Sequence, residues 1–228
     1  LVNLIFSLGA IFAIGNVSKE LFNKKVSKIV FLVLFFYPVF FGHMGFNPKD
    51  TILTFCHVWI FYSILKYLKN QTNKYVANIG ILAAMGTGIQ LFFLGSLIPI
   101  FIFFICEIFI FKKIIYTNFD KKRFLYDLLK CFLIFYILLV LFWVDTHSNI
   151  FVLPFETLIK TLSPDYNTGY PFNLINENYY YSTEIPKLYL FINFIYKSPE
   201  YFLITYILFA FLIINSKDFF INKFELFN

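Results

Sequence analysis

The segment KKRFLYDLLKCFLIFYILLVLFWV, residues 121–144, joins a basic cluster to a long apolar run. The run over residues 125–144 is long enough for a membrane-spanning helix, since the bilayer core is about 30 Å thick and needs roughly 20 mostly apolar residues. Lys121, Lys122 and Arg123 precede the run. Basic residues at the end of a span favour the cytoplasmic side, so this helix should begin inside the cell.

The composition of the whole chain agrees with a membrane protein. The chain has 228 residues, of which 60% are hydrophobic and 14% charged, and its mean hydropathy is +0.74. Soluble domains contain nearer half apolar and a quarter charged residues. The net charge of +6 comes from lysine clusters between apolar runs, not from a basic stripe of the kind that binds nucleic acid. We therefore predict no nucleic-acid partner.

Further apolar runs predict an all-α integral membrane protein with about six to seven transmembrane helices, in one transmembrane domain over residues 1–228. The basic turns between the runs alternate with outward turns, as the positive-inside rule requires. This topology places residues 42–50 and a long segment, 145–200, on the external face. Since Leu1 already belongs to an apolar run, we expect further sequence upstream. The other predicted runs are 1–15, 29–42, 51–68, a helical hairpin in 75–111 with its tip near Gln90, and 201–214.

Short interfacial helices are expected within the external segment. Phe151, Phe155, Leu158 and Leu162 recur at helical spacing around Pro154. This pattern suits an amphipathic helix that lies in the membrane interface or packs on other loops.

Polar residues concentrate in FFGHMGFNPKD, residues 40–50, at the mouth of two predicted spans. Asn47 suits a helix N-cap and Pro48 suits the first helical position. Asp50 can cap backbone N–H groups and suits the positive end of the helix dipole. Capping explains Lys49 and His43 less well. Lys49 offers a charge for a lipid phosphate, and Asp50 offers a base, a hydrogen-bond acceptor or a metal ligand.

Metal and nucleotide chemistry have weaker signals. His43, His57 and His147 could bind a divalent metal, but a lone histidine on an apolar helix, such as His57, is more often packed in a core. We predict no metal site and leave a divalent metal as an open alternative. Nucleotide-binding loops of the GxGxxG or phosphate-loop type are absent from the sequence, as are the HExxH and paired CxxC motifs. The three cysteines lie in apolar runs and predict no disulfide framework.

Two stretches resemble bacterial glycosyltransferases of the GT-C class. These enzymes use polyprenyl-phosphate sugars and are related to protein O-mannosyltransferases and aminoarabinose transferases. Residues 42–50 are similar to their signature GH-x-x-x-NPKD, and residues 176–186, NENYYYSTEIP, resemble their stretch NG-x-YY-x-S-T-x-L-P. Glu177 replaces the glycine of that pattern, and Lys187 replaces the tryptophan that usually follows the proline.

The resemblance implies that Asp50 is an outer-face acid beside the active site, with Asn47, Lys49 and His43 shaping the same mouth. Tyr179 and Tyr180 become candidates for stacking on sugar, although tyrosines also belong at membrane interfaces. The principal catalytic acid of the family lies in an earlier external loop, so we expect it upstream of Leu1.

The expected function is transfer of a sugar from a polyprenyl-phosphate carrier to a glycan, lipid or protein acceptor on the external face of a bacterial inner membrane. The partners would be the lipid-linked sugar and membrane lipid. A transporter or flippase, with buried charges along a pathway, is the main alternative. A non-catalytic membrane scaffold subunit is the other.

Overall fold

The computed structural model describes residues 1–111, 119–161, 172–175, 178–181 and 185–215. Contacts divide these residues into two compact units, an N-terminal unit, Leu1–Pro154, and a C-terminal unit that begins at Phe155.

The N-terminal unit consists of helices. The elements are α1 (Val2–Leu21), α2 (Lys24–Phe35), α3 (Pro38–Phe46), α4 (Pro48–Lys69), α5 (Asn73–Ile89), α6 (Phe93–Cys106) with a π-helical turn (Glu107–Phe111), α7 (Lys121–Phe142) and a 3-10 turn (Val144–Thr146). Four helices are long and apolar enough to cross a membrane: α1, α4, α6 with its continuation, and α7. The pair α2 and α3, bent by 62°, makes a fifth if it counts as one span.

The helical hairpin predicted for residues 75–111 is confirmed. Helix α5 ends at Ile89 and α6 begins at Phe93, so Gln90 lies at the tip. Helix α5 has 17 residues and is not among the helices that meet the length and hydropathy of a span. It packs between α4 and α7. The total of six to seven spans stays a prediction.

Burial in the N-terminal unit differs from that in a water-soluble domain. Small and polar side chains are buried between helices, including Ser7, Ala10 and Ala84, whereas Ile102 and Ile137 are 56% and 62% exposed. Small residues let transmembrane helices approach closely. Broad exposed apolar faces of this kind suit contact with lipid rather than water. The N-terminal unit therefore has the organisation of a helical membrane protein.

Helix α4 is the centre of the packing and contacts α1, α5 and α6. Its side chains Ile60, Ile64 and Leu68 belong to the main hydrophobic cluster. The neighbouring crossing of α5 and α7 is close enough to require glycine. A Cβ atom on Gly80 would lie 2.9 Å from the carbonyl oxygen of Cys131 and 3.0 Å from the side chain of Ile134.

The basic turns meet at one end of the N-terminal unit. Glu20, near the end of α1, forms ion pairs of 3.0 Å with Lys66 and with Lys69 at the end of α4. Just beyond α4, the Gln71 carboxamide donates to the backbone carbonyl of Asp120 and accepts from its N–H, both at 2.9 Å. The ends of α1 and α4 and the start of α7 thus lie together, as the alternating topology predicts. That this end is cytoplasmic stays a prediction.

The C-terminal unit contains helices and a short hairpin. Strand β1 (Phe172–Ile175) pairs antiparallel with β2 (Asn178–Tyr181). The sequence pattern predicted only helices here and not this hairpin, because four-residue strands are too short to show a clear alternation. The tyrosines of β2 have high β-propensity. The helices are α8 (Leu153–Thr161), which starts at the unit boundary, α9 (Tyr189–Lys197) and α10 (Glu200–Asn215).

Helix α8 confirms the short helix predicted around Pro154. Phe151 precedes it, and Leu162 lies outside the described residues. Helix α10 has 16 residues and contains an apolar stretch, Glu200–Leu212, that is shorter than the spanning helices of the N-terminal unit. The predicted span over 201–214 and the external location of residues 145–200 stay predictions.

Candidate functional site

The candidate site begins where α3 turns into α4. Asn47 ends α3 and caps α4, because its side-chain oxygen accepts from the N–H of Asp50 at 3.3 Å. Pro48 occupies the first helical position, where an N–H would have no partner within the helix. The capping role predicted for Asn47 and Pro48 is confirmed.

Asn47 also links the two titratable residues of the motif. Its Nδ2 donates to the Asp50 carboxylate at 2.7 Å and lies 3.1 Å from Nδ1 of His43. An amide nitrogen carries two protons, so it can serve both partners at once. The structure therefore brings three of the predicted site residues, His43, Asn47 and Asp50, into one hydrogen-bonded row.

A contact from α1 holds this row in place. The Asn3 amide donates to the backbone carbonyls of His43 and Met44 at 3.1 and 2.9 Å. The hydroxyl of Thr51, which is 1% exposed, donates to the side-chain oxygen of Asn3. Carbonyls at the end of a helix commonly lack partners within it. Asn3 satisfies that of Met44 and adds a second hydrogen bond to that of His43, which also accepts from the Asn47 N–H at 3.0 Å. Sequence analysis did not identify Asn3 or Thr51, and a polar Asn within an apolar run was their one signal.

An open cleft of about 410 Å³ lies between α4 and α6, and Asp50 is one of its lining residues. Lys49 is exposed beside Asp50 but does not line the cleft. His57 follows Asp50 by seven residues, about 10 Å along the helix axis. The other lining residues are Leu53, Thr54, Val58, Gln90, Phe92, Phe93 and Ser96.

His57 is not a core residue of the kind that sequence analysis favoured. It is part-buried in the cleft wall, with Nδ1 3.4 Å from the hydroxyl oxygen of Ser96 and its ring edge-on to Phe93. The difference arises because Ser96 and Phe93 come from α6, whose position against α4 is not visible in the local sequence.

No protein-family model matches this chain, and neither a curated protein nor a solved structure matches it significantly. The geometry of the mouth and the cleft, together with the resemblance of the two motifs, therefore carries the functional interpretation.

Tyr179 and Tyr180 lie on β2 in the C-terminal unit. Neighbouring residues of a strand point to opposite faces, and Tyr179 is 75% exposed, whereas Tyr180 is partly buried. The rest of the second motif falls partly outside the described residues, at 176–177 and 182–184.

The three histidines have separate partners. His43 contacts Asn47, His57 contacts Ser96, and Nε2 of His147 lies 2.8 Å from the carbonyl oxygen of Val140. Within the described ranges, no group of three or more His, Cys, Asp or Glu residues could hold a metal ion. The described residues therefore provide no ligand set for the divalent metal, which the sequence left as an open alternative.

A second polar cluster lies at the opposite, basic end. Asp127 is 2% exposed and accepts a hydrogen bond of 2.9 Å from the Tyr67 hydroxyl. Arg123 and Lys130 lie 3.5 and 3.7 Å from its carboxylate. A buried carboxylate requires such compensation. This cluster joins α4 to α7 and is best explained as a packing contact.

Proposed function

We propose that this chain belongs to a membrane glycosyltransferase that moves a sugar from a polyprenyl-phosphate carrier to an acceptor on the external face of a bacterial inner membrane. The observation that carries the proposal is the Asp50 carboxylate, which is exposed, lines a cleft and is oriented by the Asn47 amide at 2.7 Å. The resemblance of residues 42–50 and 176–186 to GT-C enzymes supports the same function.

Asp50 is the proposed general base. The acceptor hydroxyl oxygen attacks the anomeric carbon as its proton passes to the carboxylate. The bond from that carbon to the phosphate oxygen breaks, and polyprenyl phosphate leaves with the bonding electrons. A positioned base of this kind contributes about 10²–10⁴ in rate.

Lys49 is the proposed partner of the phosphate. Consecutive residues on a helix point about 100° apart, which agrees with Lys49 lying beside the cleft rather than in its wall. Its ammonium group could stabilise the negative charge that develops on the leaving phosphate. His43 acts through Asn47, and Tyr179 and Tyr180 offer aromatic faces to a sugar or to the membrane interface.

On α1 and α4 the placement of charge favours an enzyme over a transporter, whereas the buried Asp127 with Lys130 on α7 also fits a transport pathway. On α1 and α4 the charged residues lie near the helix ends, with Lys19 and Glu20 on α1 and Lys49, Asp50, Lys66 and Lys69 on α4. A transport pathway typically places paired ionisable groups at mid-depth.

The test uses the intact gene product that contains this chain, reconstituted in vesicles with a polyprenyl phosphate carrying a labelled sugar. We expect the label to appear in a new glycosidic bond, detected by mass spectrometry of the acceptor fraction. A nucleotide sugar serves as the control donor and should give no product. Movement of the label across the bilayer without a new bond would instead identify a transporter.

A further inference from the structure

Apart from the Gln90 carboxamide, which also carries two donor protons, the polar side chains of the cleft between α4 and α6 are mostly hydrogen-bond acceptors. The Thr54 hydroxyl donates its proton to the carbonyl of Asp50 at 2.7 Å, and the Ser96 hydroxyl donates to the carbonyl of Phe93 at 2.7 Å. A hydroxyl has one proton and two lone pairs. Both residues therefore present only lone pairs to a further partner, as the Asp50 carboxylate also does.

The contact between Ser96 and His57 bears on the role of the imidazole. With the Ser96 proton directed to Phe93, the 3.4 Å contact fits the tautomer of His57 that carries its proton on Nδ1. A neutral imidazole with its proton on Nδ1 has Nε2 as a hydrogen-bond acceptor. In this tautomer His57 adds another acceptor about two helical turns from Asp50.

These acceptor groups favour binding of the sugar of a lipid-linked sugar over binding of its phosphate. An acceptor-rich wall that includes a carboxylate repels phosphate and suits a ligand rich in hydroxyl or amino donors. Phe92 is 48% exposed and lines the same cleft, where its ring can cover the C–H face of a pyranose. The volume of about 410 Å³ falls within the about 300–1,000 Å³ typical of small-molecule sites.

We propose that this cleft binds the sugar ring of the donor and that His57 accepts a hydrogen bond from one of its hydroxyl or amino groups. The phosphate then lies outside the cleft, beside Lys49. The proposal rests on the proposed function and adds to it a sugar subsite that includes His57, Gln90, Phe92 and Ser96.

The experiment measures binding to the intact gene product of two probes, polyprenyl phosphate and the same lipid carrying glucose, mannose or aminoarabinose. The sugar that wild type binds most tightly is then used with His57→Phe and His57→Gln. We expect His57→Phe to weaken binding of the sugar-bearing lipid about tenfold, the effect of one lost hydrogen bond. Binding of the sugar-free lipid should not change. His57→Gln restores an acceptor oxygen and should retain most of the affinity.

The outcomes separate this proposal from the function on which it rests. Equal binding of the sugar-bearing lipid by wild type and His57→Phe overturns the subsite but leaves the glycosyltransferase intact. Failure of wild type to bind either lipid overturns both. If His57→Phe does not fold, Gln90→Ala at the part-exposed hairpin tip tests the same cleft. We expect Gln90→Ala to weaken binding of the sugar-bearing lipid but not of the sugar-free lipid. Equal binding of the sugar-bearing lipid by wild type and Gln90→Ala would overturn the subsite.

Discussion

Asn47 serves two purposes at the residue scale. Its oxygen caps α4, and its nitrogen orients Asp50 and contacts His43. The first purpose could be predicted from the sequence, because a cap and its helix are neighbours in the chain. For the second purpose, the sequence predicted only that His43, Asn47 and Asp50 lie close together in one motif. It did not predict which way the Asn47 amide points, because that depends on how α3 meets α4.

Substitutions of Asn47 separate these two purposes. Asn47→Ala should cost about 1 kcal/mol of stability through the lost cap and should also lower transfer. Asn47→Asp keeps a capping oxygen but removes both donor contacts and places a second negative charge beside Asp50. We expect it to lower sugar transfer at least tenfold with a smaller loss of stability than Asn47→Ala, as measured by transfer assay and thermal unfolding. Full activity of Asn47→Asp would show that the amide does not position Asp50.

Gly80 and Gly88 are a matched pair on α5. Gly80→Ala should destabilise the protein by about 1–3 kcal/mol, as overpacking does, because its Cβ would meet the backbone of α7. Gly88 has nothing within 4 Å of a built Cβ, so Gly88→Ala should be neutral or stabilise by up to about 1 kcal/mol. Thermal unfolding in detergent measures both. Equal effects would contradict the close approach of α5 and α7.

At the element scale, the apolar runs predicted the helical hairpin and the short helix at Pro154, because each depends on residues near one another in sequence. The bend between α2 and α3 and the strand pair were not predicted. Pro38 begins α3 after a break of two residues, and a run of apolar letters does not distinguish one straight span from a bent pair.

The contact between Tyr67 and Asp127 joins α4 to α7. Tyr67→Phe removes the hydroxyl that donates to the buried carboxylate but keeps the ring against Phe104. Hydrogen bonds to charged groups contribute about 1.5–3 kcal/mol, so a loss of stability of that size is expected in thermal unfolding. Tyr126→Phe, at a side chain that is 61% exposed, is the control and should change stability by less than about 0.5 kcal/mol. Equal effects of the two substitutions would show that the Tyr67 hydroxyl does not stabilise the fold.

At the scale of the whole molecule, the N-terminal unit has a basic end at Glu20, Lys66 and Lys69 and a polar mouth at Asn3 and Asp50. The alternation of spans and lysine clusters predicted which turns share an end. The sequence did not predict the positions of four residues of the mouth and the cleft, namely Asn3, Thr51, His57 and Ser96. Their partners lie 39 to 48 residues away, and periodicity does not reveal such pairings.

Single cysteines test whether the two ends face opposite sides of the membrane. In a background without Cys56, Cys106 and Cys131, Phe46→Cys at the mouth and Asn70→Cys at the basic end are both at exposed positions. A membrane-impermeant maleimide should label Phe46→Cys in intact cells and Asn70→Cys only after lysis. Labelling of both before lysis, or the reverse pattern, would contradict the topology.

Sugar transfer at the mouth of α4, with Asp50 as the base, is tested by the rate of transfer from a labelled polyprenyl-phosphate sugar. The rate is compared for wild type, Asp50→Asn and Asp145→Asn. Asp145 is exposed on the same predicted face but does not line the cleft. We expect a loss of at least about 100-fold for Asp50→Asn and a rate close to wild type for Asp145→Asn. Unchanged transfer by Asp50→Asn, with normal folding, would contradict this role of Asp50.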